Sequence, residues 1–145
     1  MRPFFVIAVG LILVGCAATP APSDDRTLYD RLGGEEGIDL IVDRFILNIL
    51  SNPELRPAFA ETPIYALPNL KRKFTQQICD IADGPCTYKG LDMVAAHEGM
   101  DITLAQFNAM GREMQAALQR YRIEDGAQRE LLTLMGRMRD DIVGR

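Results

Sequence analysis

The sequence predicts an all-α domain, and three observations carry that prediction. Apolar residues recur at helical spacing over several long stretches, nothing alternates with period two over more than a few residues, and glycine or proline interrupts the stretches where one helix would end and the next begin. The chain has 145 residues, 48% hydrophobic and 25% charged, which suits one globular domain able to bury a core. A formal net charge of -4 argues against a nucleic-acid partner, which would need a basic face. There is no internal repeat and no low-complexity tract.

Residues 1–15 stand apart from the domain. Arg2 supplies a small positive charge, and the apolar run from Phe4 to Val14 is too short to span a bilayer as a helix. Leu13-Val14-Gly15-Cys16 resembles a lipobox, which implies cleavage before Cys16, acylation of its thiol and stable membrane anchoring through several acyl chains. An ordinary secretory signal, cleaved for instance after Ala18, is the alternative, and both export the domain. The expected location is the periplasmic side of the cell envelope. Residues 16–26, with Pro20, Pro22 and Ser23, read as a solvated tether, and the folded domain as 27–145.

Thr27 to Asp30 suits the cap and first turn of a short helix that Gly33-Gly34 ends. Glu35 and Glu36 favour the start of the next helix, where Ile38, Ile41, Val42, Phe45, Ile46, Ile49 and Leu50 share one side as far as Asn52-Pro53. Leu55 and Phe59 fall in a short helical turn. Pro68 then opens a helix to about Ala82, with Leu70, Phe74, Gln77, Ile78 and Ile81 on one side and Lys71, Arg72, Lys73 and Gln76 on the other. Asp83-Gly84-Pro85 breaks it. Thr103 with Gln106 has the form of a capping box for a helix to about Tyr121, with Leu104, Phe107, Met110, Met114, Ala117 and Leu118 inward. After Asp125-Gly126, a last helix should bury Leu131, Leu132, Leu134, Met135, Met138 and Ile142.

His97 is the single histidine. If a short helix follows Gly90, Met93, His97 and Met100 fall at i, i+4 and i+7, and the imidazole shares a face with two soft apolar side chains. An imidazole in that setting suits an axial ligand of haem iron, with a hydrogen-bonded core or surface histidine as the alternative. Cys79 and Cys86 are close enough in sequence for a short disulfide in an oxidising compartment, with two free thiols as the alternative. One histidine and two cysteines at this spacing fit no zinc finger, and there is no Cys-X-X-Cys-His for thioether attachment of haem.

The order Leu28-Tyr29-Asp30-Arg31-Leu32-Gly33-Gly34, Phe45, Leu55 to Phe59, Gly84-Pro85 with Tyr88 and Gly90, and His97-Glu98-Gly99 with Ile102-Thr103 resembles the group I truncated haemoglobins over residues 27–143. The resemblance implies a truncated globin, a two-over-two helical sandwich around haem b with His97 as proximal iron ligand. It also implies that Phe59 packs on the haem face, that Tyr88 contacts a propionate, and that Leu70 and Phe74 face the bound ligand. Met93 and Ile46 complete the expected cofactor contacts. Lys71, Arg72 and Lys73 are read as a solvated face, with propionate steering as the alternative.

Two departures bear on function. Many group I members have a tyrosine where this chain has Ile46 and a glutamine where it has Phe74, each a hydrogen-bond donor to bound oxygen. A donor of that kind is worth about 1.5–3 kcal/mol, so its loss should make the oxygen complex labile. Gln77 either substitutes or points to solvent. The resemblance implies reversible binding of oxygen, nitric oxide or carbon monoxide at the envelope, with an unidentified reductase as a further partner. The alternatives are a nitric oxide dioxygenase or peroxidase-like haem enzyme, and a cofactor-free helical lipoprotein serving as an interaction module.

Overall fold

The computed structural model describes residues 25–145; the signal peptide expected at 1–15 and the lipidated tether up to residue 24 lie outside the described residues. Helix α1, Leu28–Arg31, opens with a reciprocal box in which the Thr27 side chain accepts from the Asp30 amide while the Asp30 carboxylate accepts from Thr27. Gly33 follows at φ 92, a left-handed turn that glycine adopts without steric cost, and it leads directly into α2, Gly34–Ser51. Ile38, Ile41, Val42, Phe45 and Ile49 are buried along one stripe of α2, while Ile46 and Leu50 lie half-buried at its flank. Two 3-10 turns, Arg56–Phe59 and Ile64–Ala66, then cross to α3, Leu67–Ile81. Pro68 occupies the first turn of α3, where its missing N–H costs nothing.

Side-chain pairs fix the direction of α3 against α2. Lys71 Nζ lies 2.9 Å from Asp43 and Thr75 Oγ1 donates to Asp39 at 2.9 Å, so the residue number rises on one helix as it falls on the other. Asp43 holds the Lys71 ammonium above its ordinary pKa by hydrogen bonding. On the opposite side of α2 lies α5, Leu104–Arg120, whose Thr103–Gln106 capping box is present as expected and is worth about 1 kcal/mol. The Asn48 and Asn52 amides donate to the carbonyl and carboxylate of Glu113 at 3.2 and 2.6 Å, tying α2 to α5. Helix α6, Asp125–Gly136, folds back on α5, and Arg31 pairs with both Glu124 and Glu130 to hold α1 against it. The result is a pair α2/α3 stacked on a pair α5/α6, with Phe45, Ile38, Met114, Leu118 and Leu131 in the shared core.

The structure departs from the expected elements in three places. The break before α6 is not at Asp125-Gly126, which form its first turn; it is at Arg122, whose φ of 56 reverses the chain. The expected single last helix stops at Gly136 and resumes as α7, Arg139–Ile142, so Met138 sits at the junction. Leu104 is half-exposed rather than inward, because as the first residue of α5 it lies beyond the end of the core. All described regular structure is helical.

Candidate functional site

Helix α4 is a single turn, Met93–His97, and its caps explain its length. The Asp92 carboxylate accepts from the Ala95 amide at 2.8 Å, a start signal that sequence reading passed over although an aspartate at this offset is an ordinary N-cap. At the other end Glu98 leaves helical geometry and Gly99 takes φ 77. Met100 is therefore off the helix and 40% exposed, and the expected three-residue stripe reduces to Met93 and His97.

The His97 ring nitrogen Nδ1 lies 2.8 Å from the carbonyl oxygen of Met93. A carbonyl carries no proton, so Nδ1 is the donor, and the neutral ring must hold its lone pair on Nε2. A backbone acceptor on the remote nitrogen is how metal-ligating histidines are oriented and made more basic.

Across from α4, helix α3 presents Leu70, Phe74 and Gln77 at i, i+4 and i+7, all three half-buried. Phe74 meets Phe45 of α2 edge to face, with centroids 5.3 Å apart and planes at 88°. Phe74, Ile46 and Phe59 pack against the core while keeping part of their surface uncovered. Gln77 points inward: its Nε2 lies 3.2 Å from Met93 Sδ and 3.6 Å from Met138 Sδ, so it joins α3 to the helix that carries His97. The sequence places Met138 on the inner side of the last helix but not beside Gln77, because that position depends on the break between α6 and α7.

The connection from α3 to α4 is braced twice. Cys79 and Cys86 form a disulfide with Cα atoms 5.7 Å apart, so the free-thiol alternative does not hold. The Tyr88 amide donates to Asp80 at 3.1 Å, and the Tyr88 phenol lies over Gly90, where any Cβ would overlap it. A concavity of about 760 Å³ lies elsewhere, between the start of α2, the outer face of α3 and residues 85–89, and contains neither His97 nor Phe74. Lys71 borders that concavity and is paired with Asp43, and Arg72 contacts the Asn69 side chain, in keeping with a solvated face.

This geometry defines a class: an all-helical two-over-two sandwich in which a one-turn helix carries the histidine and is joined to α3 through Gln77. The family model for bacterial-like globins matches residues 27–143, and the chain belongs to that family. Among similar sequences, a group 1 truncated hemoglobin of Tetrahymena pyriformis is 26% identical over 120 residues, which is 83% of this chain and 97% of the relative. Another, from Nostoc commune, is 32% identical over 88 residues, 61% of this chain and 72% of the relative. The solved Fe(III) form of the Tetrahymena pyriformis protein superposes with a TM-score of 0.78 at 26% identity, covering 83% of this chain and all of that one. A Synechococcus 2/2 hemoglobin, described as carrying covalently attached heme, gives 0.75 at 25% identity with the same coverage of each. The fold is thus the truncated 2/2 globin fold, and the chain is a haem-binding globin by family.

The residues present fit a haem. A flat, largely apolar group needs apolar walls on two sides and one basic nitrogen directed by a second partner. Half-buried Ile46, Phe59, Leu70, Phe74 and Met93 offer the first, and the Met93-bound tautomer of His97 offers the second.

Proposed function

We propose that this chain binds haem b through His97 Nε2 and reversibly binds diatomic gases at the cell envelope. The observation that carries the reading is the 2.8 Å hydrogen bond from His97 Nδ1 to the Met93 carbonyl, which leaves Nε2 as the available lone pair. Phe59, Leu70, Phe74, Met93 and Ile46 would contact the macrocycle or its ligand side, and Tyr88 a propionate. When bound, the haem supplies the iron at which oxygen, nitric oxide or carbon monoxide is taken up.

The residues of the chain set the character of that site. Ile46, Leu70 and Phe74 carry no donor, and the Gln77 amide is already directed at two thioethers, which are weak acceptors. A gas that gathers negative charge on binding gains little from such walls, whereas a nearly neutral one loses little. The pocket is therefore suited to loose oxygen retention and relative preference for carbon monoxide. Placement at the envelope rests on the lipobox-like Leu13-Val14-Gly15-Cys16.

The test is an optical titration of the purified protein with haemin, followed by reduction and exposure to carbon monoxide. The reading expects a sharp one-to-one endpoint and an intense Soret band that shifts on reduction and again with the gas. A featureless, non-saturating titration would favour the cofactor-free interaction module instead.

A further inference from the structure

We propose that the turn carrying Ile64 and Tyr65 beds into the surface of the bilayer to which the chain is tethered. This rests on the reading of Cys16 as the lipid-bearing residue. Ile64 and Tyr65 are 82% and 83% exposed, the highest values among the exposed large apolar side chains of the described residues. They follow Pro63 in a 3-10 turn that projects ahead of α3, and their exposure is not used by the packing of the domain. A tyrosine beside an aliphatic residue is the pairing favoured at a membrane interface, where the ring has an apolar body and a polar tip.

The same end of the molecule offers a third apolar side chain. The Asp43–Lys71 and Asp39–Thr75 pairs set α2 antiparallel to α3, which brings Leu47 level with Leu67, next to the turn. Leu47 is 58% exposed. No helix among the described residues is long and apolar enough to cross a membrane, so the contact would be an interfacial one.

Chain length decides whether anchor and tip can reach one surface. The Tyr29 amide donates to the Ala82 carbonyl at 2.8 Å, which puts the start of the domain at the far end of α3 from Ile64. A helix of this length measures about 22 Å at 1.5 Å per residue. The segment from Cys16 to Asp25 reaches up to about 30 Å at 3.3 Å or more per residue. The extended tether is at least as long as α3, so acyl chains and tip can enter the same leaflet with α3 lying along it.

The chain has no tryptophan, so Tyr65→Trp provides a single emission reporter. The full acylated haem protein would be reconstituted on phosphatidylethanolamine–phosphatidylglycerol vesicles, with plain or brominated acyl chains, and compared with Tyr121→Trp at the end of α5, on the other side of α2 from α3. The ratio of emission between the two lipids cancels any quenching by haem. Expected are co-sedimentation of both variants with the vesicles, and emission of Tyr65→Trp falling about twofold in brominated lipid while Tyr121→Trp is unchanged. Co-sedimentation with no quenching of Tyr65→Trp, or with quenching of Tyr121→Trp instead, overturns the docking and leaves the anchor standing. An emission change that follows protein concentration rather than lipid assigns the tip to a second copy and also overturns it. Failure to co-sediment removes the anchor and the proposal together, while the haem titration remains an independent test of the gas-binding reading.

Discussion

The Gln77 amide lies 3.2 Å from Met93 Sδ, so a polar side chain of α3 is committed to the helix that presents His97 rather than to solvent. A second thioether, Met138 Sδ at 3.6 Å, lies on the other side of the same nitrogen. Thioethers accept weakly, so Gln77→Leu should lose little and gain some apolar burial, leaving stability within about 1 kcal/mol of wild type. Oxygen dissociation measured by stopped flow should change by less than about threefold, since the amide is not aimed at the gas. A tenfold acceleration would show that Gln77 turns to the ligand when haem is bound.

Ile46 lies half-buried on α2, next in sequence to Phe45, which meets Phe74 edge to face. Ile46→Tyr introduces a hydroxyl where this chain has no donor, and a well-formed hydrogen bond should slow oxygen release by about tenfold. Carbon monoxide release should move much less. Slow oxygen release already in the wild type, unchanged by the substitution, would contradict the apolar description of the pocket.

The Cys79–Cys86 disulfide closes a loop with a sequence separation of 7. By loop entropy it contributes about 2–3 kcal/mol, although short loops deviate from the ideal chain. Cys79→Ser combined with Cys86→Ser should lower the urea midpoint accordingly, and reductant should lower the wild type by the same amount but leave the double variant unmoved. Equal midpoints for all four samples would mean that the bond adds nothing to the α3–α4 connection.

Much of this architecture is legible in the sequence because the long helices announce themselves. The stripe from Ile38 to Ile49, the Thr103–Gln106 box and the Gly33 turn are local signals, and the structure realises each of them. Local pattern fails where a boundary depends on a tertiary partner. Met100 looks like the next step of the His97 stripe, yet α4 ends after one turn at Glu98 and Gly99. Arg122 gives no hint of a left-handed turn, since arginine rarely takes φ 56, and the Asp125-Gly126 pair looks like a better break than it is. The sequence leaves the aim of Gln77 open for the same reason: helical spacing puts it near the Phe74 face, but only the positions of Met93 and Met138 decide where the amide goes.

Lys71 offers a pH test of the α2–α3 contact. Its hydrogen bond to Asp43 raises the ammonium pKa above the ordinary 10.5, so the pair contributes below that value and is lost as pH climbs through the raised one. The lysine is about one-third exposed and the aspartate about half, which limits the contribution to roughly 0.5 kcal/mol. Thermal unfolding of Lys71→Met should show a small deficit at pH 8 that shrinks above pH 11. A deficit that is constant with pH would indicate lost packing of the lysine stem instead.

Replacing His97 with glycine while supplying imidazole shows whether this residue holds the iron. With no second histidine in the chain, His97→Gly should lose the stoichiometric haem endpoint or the five-coordinate ferrous spectrum, and millimolar imidazole should restore both by entering the space of the missing ring. An unchanged ferrous spectrum in His97→Gly without imidazole would show that another group binds the iron and would contradict the account.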